Sequence, residues 1–247
     1  MPEVIFSAKN LTKQYKKKNS KKIFNALDDF NMEIHRGDIY GFVGKNGAGK
    51  TTLMRILTGR CRQTNGEIWL FGKSDGDDYC KQLGRVGALI ETPAVFLGMT
   101  AWDNLEVLQL QYGIRGTECI SEALELVGLQ DAGAKKVKDF SFGMKQRLGL
   151  AQAIMGGREF LVLDEPTNGL DPEGIIEFRT IIKKLNKEKG VTILISSHML
   201  NELSQLATCY GFIREGKMVR EISADEMKMK NTNIEEFYLS TMRGDER

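Results

Sequence analysis

Gly44-Lys45-Asn46-Gly47-Ala48-Gly49-Lys50-Thr51-Thr52 follows a short apolar run, Ile39 to Val43, and precedes Leu53, Ile56 and Leu57 at helical spacing. The stretch fits the pattern G-x-x-x-x-G-K-[ST] in the setting that gives it meaning, between a predicted strand and a predicted helix over Lys50 to Leu57. Glycines let the backbone curl until successive N–H groups face one point, which suits phosphate oxygens. A helix starting near Gly49 adds roughly half a unit of positive charge at the same place. In such a loop Gly44, Asn46, Gly47, Ala48 and Gly49 form the cradle. Lys50 reaches the β- and γ-phosphates, the Thr51 hydroxyl ligates Mg²⁺, and Thr52 donates to the α-phosphate. The motif specifies a nucleotide but not the reaction.

A second constellation lies far along the chain. Phe160-Leu161-Val162-Leu163 reads as a buried strand and ends in two carboxylates, Asp164 and Glu165. Acids at the C-terminal edge of a parallel sheet sit where ligands bind in open α/β folds. Asp164 is placed to hold Mg²⁺ through its water shell, and Glu165, on the other side of the strand, to polarise an attacking water. His198 follows a further strand, Thr192 to Ile195, and is assigned a γ-phosphate contact at the same edge. His35 receives no role.

The intervening pattern is organised in blocks. Ala26 to Glu33 reads as a half-buried strand with imperfect alternation, and Glu67 to Phe71 and Val86 to Ile90 as further strands. From about Pro93 to Met155 the spacing turns helical, with segments over Trp102 to Leu110, Ile120 to Val127 and Gly143 to Met155. Strands and helices then alternate, with helices over Pro172 to Lys189 and Met199 to Leu206. Such alternation predicts an α/β fold with a mainly parallel sheet covered on both faces, here interrupted by a helical insert. The expected division is a nucleotide-binding core of 1–92 and 156–222, an α-helical subdomain of 93–155, and a helical tail of 223–247. Lys16, Lys17, Lys18, Lys21 and Lys22 read as a solvated loop between strands, with contact to anionic lipid as the alternative.

Bulk properties narrow the function classes. The 247 residues are 41% hydrophobic and 28% charged, a globular balance, and the net charge of +2 argues against a nucleic-acid partner. Cys61, Cys80, Cys119 and Cys209 lack Cys-x-x-Cys spacing, which fits neither a zinc site nor a disulfide framework and suits a reducing, cytoplasmic setting. No signal-peptide pattern is visible and no window approaches about 18 uncharged apolar residues, so action on a membrane is expected only through a partner.

With these residues assembled, the chain resembles the ATP-binding cassette of ABC transporters over nearly its whole length. Tyr15 stands where the family uses an aromatic to stack on adenine. Glu91 occupies the place of the family's switch-loop glutamine, where it is read as both a catalytic group and a Mg²⁺ ligand. Phe140-Ser141-Phe142-Gly143-Met144 occupies the signature, Asp164-Glu165-Pro166 the second acid motif, Asn168-Gly169-Leu170-Asp171 the dimer-contact loop, and His198 the switch histidine. The resemblance implies a P-loop NTPase (RecA-like) core with an N-terminal antiparallel β part and an inserted α-helical subdomain. It also implies ATP and Mg²⁺ as cofactors, a homodimer formed on ATP binding, and a polytopic membrane permease as partner. The cassette would then be peripheral on the inner face of the cell membrane. Ser141 and Gly143 of one copy would close over the ATP of the other, with Asp171 at the dimer contact.

Two departures refine the resemblance. Phe142 and Met144 replace the signature's first glycine and its glutamine, so Phe142 is expected to project away from nucleotide. Glu91 adds a negative charge where the family has a neutral amide. The stretch Gly87 to Pro93 and the Ser-Phe-Gly-Met-Lys-Gln-Arg signature look like the branch that exports, or confers immunity to, bacitracin and lantibiotic peptides. A soluble ABC ATPase of an assembly pathway, such as iron–sulfur assembly, is the alternative. A kinase using the same loop would leave Ser141-Phe142-Gly143 and Asp171 without purpose, and a non-catalytic regulatory subunit would bind ATP without turnover.

Overall fold

The structure is a computed structural model that describes residues 2–16, 22–74 and 76–243. Lys17, Lys18 and Lys21 of the lysine run lie outside the described residues, as does 244–247 of the tail. The strands are β1 (Val4–Lys16), β2 (Ile23–His35), β3 (Ile39–Val43), β4 (Asn65–Leu70), β5 (Lys73–Ser74), β6 (Val86–Leu89), β7 (Phe160–Asp164), β8 (Thr192–Ser197), β9 (Cys209–Arg214) and β10 (Lys217–Ser223). The helices are α1 (Lys50–Leu57), α2 (Gly76–Leu83), α3 (Ala101–Gln111), α4 (Glu118–Leu126), α5 (Phe142–Ile154), α6 (Pro172–Lys189), α7 (Leu200–Ser204), α8 (Ala224–Met229) and α9 (Ile234–Arg243).

Two sheets form. One is antiparallel, in the order β2-β1-β4-β5; the other runs β10-β9-β3-β8-β7-β6. In the second, β9, β3, β8, β7 and β6 are parallel and only β10 is reversed. Its central strands explain their own sequences. Phe160 and Val162 of β7, with Leu194 of β8 and Phe42 of β3, enter a core shared with α1 and the antiparallel sheet. Leu161, Leu163, Ile193, Ile195 and Val43 point the other way, into a core shared with α6 and the insert helices. Burial on both faces produces the unbroken apolar runs seen in the sequence. One face is covered by helix α1 and a second sheet, whereas the sequence pattern anticipates helices on both.

The imperfect alternation of β2 has a local cause. Leu27, Phe30, Met32 and Ile34 are all buried although the first step is three residues. Asp29 takes a positive φ of 50°, as does Asn10 on β1, and the β1–β2 register shifts between Leu11 and Lys13. A bulge of this kind absorbs one residue and returns the apolar face to the core. Of the segments read from the sequence, β6 stops at Leu89 rather than Ile90 and α7 spans only Leu200–Ser204, while strands β5, β9 and β10 have no counterpart in that reading. Helix α2, with one buried side chain, Tyr79, had too little apolar pattern to be read.

The insert helices pack on one another and on the parallel sheet. Helix α3 starts with a reciprocal cap, in which Asp103 N–H donates to Thr100 Oγ1 (3.1 Å) and Thr100 N–H to Asp103 Oδ2 (3.0 Å). The tail helix α9 lays Phe237 and Tyr238 against Phe212 of β9. Among the described residues no helix is long and apolar enough to cross a membrane.

A charged clasp joins the sheets at the N-terminal ends of the parallel strands. Glu159, just before β7, accepts from Arg85 Nε (2.6 Å) and Nη2 (2.8 Å) and from Arg36 Nη1 (3.1 Å), while Arg36 Nε reaches Glu3 Oε2 (2.6 Å). The Arg85 hydrogen bonds, with Arg36 behind them, pull the Glu159 carboxyl down to about 2. A carboxylate lowered on folding stabilises the fold at neutral pH, and that contribution fades as pH falls from about 4.5 towards 2. The side chain is 38% exposed, so solvent screening limits the effect to about 1 kcal/mol or less. Glu159→Gln is therefore expected to lower the urea midpoint at pH 7 and to match the wild type near pH 2, as followed by circular dichroism.

Candidate functional site

Parallel strands bring their C-terminal ends to one edge, and the order β3-β8-β7-β6 makes neighbours of segments far apart in sequence. At this edge β3 runs into the Gly44 loop, β8 into His198, β7 into Asp164 and Glu165, and β6 into Glu91. The result is a cleft of about 550 Å³.

Lys50 is the deepest charge in it. The residue is 5% exposed, and its Nζ donates to Gly44 O (2.6 Å) and Lys45 O (3.4 Å), with Glu165 Oε1 at 3.6 Å. Glu165 is thus held between two cationic or proton-sharing groups, since its Oε2 lies 3.2 Å from His198 Nδ1. Its backbone has a φ of 47°, a left-handed conformation costing about 1–2 kcal/mol for a side-chain-bearing residue. Two hydrogen bonds from its N–H, to Ser196 O (3.2 Å) and Ser196 Oγ (2.9 Å), hold it there.

Asp164 is 6% exposed and both carboxylate oxygens are engaged. Thr51 Oγ1 donates to Oδ2 and Ser196 Oγ to Oδ1, each at 2.6 Å. A hydroxyl and a carboxylate in contact form a pair of hard oxygen donors, which fits Mg²⁺ that arrives with phosphate oxygens and waters of its own. Among the described residues no group of three or more His, Cys, Asp or Glu could hold a metal alone.

The loop itself explains its glycines. Gly49 has φ +117°, and a Cβ there would lie 2.5 Å from the Ala26 carbonyl oxygen; Gly47 has φ +80° with nothing within 4 Å. Ala48 turns its side chain into the core, while its N–H donates to Lys45 O (3.1 Å) and its carbonyl accepts from Gly216 N–H (2.9 Å). The N-terminus of α1 has no side-chain cap and no acid in its first turn, so its N–H dipoles face the cleft uncompensated. Asn46, Thr51 and Thr52 line the same space.

At the outer end Tyr15 pairs in register with Phe24, ring centroids 5.9 Å apart. Burial, with the Cys61 thiol 3.6 Å from its hydroxyl, pushes the Tyr15 phenol up, so the ring is presented uncharged. Glu91 lies on the rim with φ +64°, its carboxylate paired with Arg55 rather than turned toward Lys50. Ser141 and Gly143 do not line this cleft: Ser141 caps α5, its Oγ accepting from Met144 N–H (3.2 Å). Asp171 similarly caps α6 through Gly174 N–H (3.1 Å). Phe142, expected to project away from nucleotide, borders the cleft of its own chain with its ring against Gly169.

Four side chains at this edge escaped the sequence reading. Ser196 stands in the Ser-Ser-His run and could have been noticed there. Arg55 follows Thr51 by four residues and so shares its helix face. Phe24 depends on the β1–β2 register, and Gln146 on how α5 packs, and neither carries a local signal.

Comparison with known proteins gives the chain's family. The family model described as ABC transporter matches residues 27–168. The bacitracin transport ATP-binding protein of Bacillus licheniformis is 45% identical over 236 residues, 96% of this chain and 75% of that one. The lantibiotic transport ATP-binding protein of Streptococcus pyogenes is 41% identical over 229 residues, 93% of either chain. A solved dimeric ATP-binding cassette, in a post-hydrolysis state with ADP and Pi, matches with a TM-score of 0.80 at 26% identity, over 89% of this chain and 98% of that one.

The two loop glycines separate backbone strain from lack of space. Gly47→Ala meets only the positive-φ cost and should lose about 1 kcal/mol, whereas Gly49→Ala must also displace the Ala26 carbonyl and should lose about 2–3 kcal/mol. Urea unfolding of the two variants checks the order.

Proposed function

The chain belongs to the ABC transporter family as an ATP-binding, ATP-hydrolysing subunit, and from that premise we propose a residue-by-residue account of its turnover and its partners. The observation that carries the account is the position of Glu165, held between Lys50 at 3.6 Å and His198 at 3.2 Å beside the Thr51–Asp164 pair.

In this account the glycine loop and the α1 N-terminus seat the phosphates, and Tyr15 stacks on the base. Lys50 would trade its loop carbonyls for phosphate oxygens, which keeps the buried ammonium satisfied in both states. Thr51 and Asp164 would hold Mg²⁺, with Glu91 as a further oxygen donor. When bound, Mg²⁺ neutralises phosphate charge as a Lewis acid. Glu165 would accept a proton from the attacking water, and His198 would orient Glu165 and contact the γ-phosphate.

The second half of each site would come from another copy. Ser141 and Gly143 lie outside their own chain's cleft, and the similar solved cassette is dimeric. We assign 1–92 and 156–222 to the nucleotide-binding core, 93–155 to the signature-bearing insert and 223–247 to the tail. Closure of two copies around two ATP would draw the inserts together and drive a separate polytopic permease, placing this subunit on the inner face of the cell membrane. The relatives named for bacitracin and lantibiotic transport support a peptide antibiotic as cargo, exported or made harmless.

Glu165→Gln should bind ATP with near-normal affinity, turn it over about 10²- to 10⁴-fold more slowly and accumulate as a dimer with ATP and Mg²⁺. Phosphate release and light scattering measure the two effects. A variant that stays monomeric at saturating ATP would sink the self-sandwich model.

A further inference from the structure

Glu91 places a third carboxylate on a cleft that has to admit a polyphosphate. Of the charged side chains that line it, Lys50 faces Asp164, Glu165 and Glu91, and Arg55 reaches Glu91 from behind the rim. Asp164 is occupied by Thr51 and Ser196, and Glu165 by Lys50 and His198. Glu91 has Arg55: Arg55 Nη2 donates to Glu91 Oε1 in a close ion pair. Arg55 rises from the last turn of α1, four residues after Thr51 and therefore above it on the same helix face.

The pair is poorly explained as a stabilising bridge. Its side chains are 40% and 59% exposed, and an ion pair so solvated contributes little to folding. Glu91 is also held in a left-handed backbone conformation, so the fold accepts strain to present it. What the pair changes is the field in the cleft. A lone carboxylate beside bound phosphates repels them over a distance shorter than the screening length, and a guanidinium on the same carboxylate cancels most of that repulsion.

We propose that Arg55 is the counter-ion that makes a carboxylate at position 91 compatible with nucleotide binding. It acts as a positioning residue, holding Glu91 on the α1 side of the rim with its charge cancelled while the phosphates enter. The proposal rests on reading this cleft as the nucleotide site. It differs from direct phosphate binding by Arg55, because a counter-ion matters only while residue 91 is charged.

A double-substitution cycle distinguishes these roles. ATP binding is measured by calorimetry on the full chain in EDTA, without Mg²⁺ or turnover, for wild type, Arg55→Met, Glu91→Gln and the double variant. Arg55→Met alone should weaken binding about fivefold, the same change in the Glu91→Gln background should cost less than about twofold, and Arg55→Lys should stay within about twofold of wild type. Equal losses in both backgrounds would mean that Arg55 touches phosphate itself, and no loss in either would mean the pair is idle; both overturn the proposal. Failure of the wild type to bind ATP would instead overturn the assignment of the cleft. Thermal melts verify folding, and Arg55→Gln, of similar reach but uncharged, replaces Arg55→Met in the cycle if the latter unfolds.

Discussion

Taking an ammonium out of water costs several kcal/mol unless its protons find partners, and Lys50, at 5% exposure, meets that condition at the edge of the parallel sheet. Two partners are the carbonyls of Gly44 and Lys45, reachable only because the loop doubles back over the start of α1. Doubling back requires the positive φ values at Gly47 and Gly49 and the close approach of Gly49 to the Ala26 carbonyl. The third partner, Glu165, comes from a strand two places away in the sheet. One buried charge therefore depends on the loop, on the contact with β2 and on the sheet order together.

The same edge balances its acids by a similar rule. Asp164 is buried and takes two hydroxyl donors; Glu165 is partly exposed and sits among a lysine, a histidine and the Ser196 backbone. Ser196 serves both residues, donating to Asp164 and accepting from the Glu165 amide, so the two carboxylates are fixed relative to each other by one hydroxyl. That arrangement keeps them distinct in environment although they are adjacent in sequence, and distinct environments allow adjacent carboxylates to do different work.

Much of this is legible in the amino-acid sequence. Local signals sufficed where physics is local: the glycines and Lys50 of the loop, the doubly buried runs of β3, β7 and β8, the Asp171-Pro172 start of α6. The bulge at Asp29 was visible only as a disturbance, because a bulge shifts the apolar phase without leaving a motif of its own. Phe24, Gln146 and the Arg55–Glu91 pair needed the tertiary arrangement. Glu91 shows the difference most clearly. Its charge could be read from the sequence as a problem for phosphate binding, but not its solution, since Arg55 lies 36 positions away and looks like any basic residue in the last turn of a helix.

The position of Glu91 also ties the cleft to the helical insert. Two residues on, Pro93 packs against α5 so closely that a Cβ on Gly149 would lie 2.7 Å from its ring, and Gln152 Nε2 donates to Ala94 O (3.2 Å). At its other end α5 is capped by Ser141, with Phe142 seated on Gly169, four residues past Glu165. Helix α5 thus touches the chain just after each of the two strand ends that carry Glu91 and Glu165. Its 13 residues make a rod of about 20 Å, and Phe142 lies about 10 Å from Gly149 along it, so a tilt of about 10° at the Gly149 contact would move that end by about 2 Å. Close-packed contacts of this kind shift between discrete arrangements rather than deforming smoothly. Any rearrangement of Glu91 that shifts Pro93 must therefore be accommodated by α5, and with it by the segment bearing Ser141.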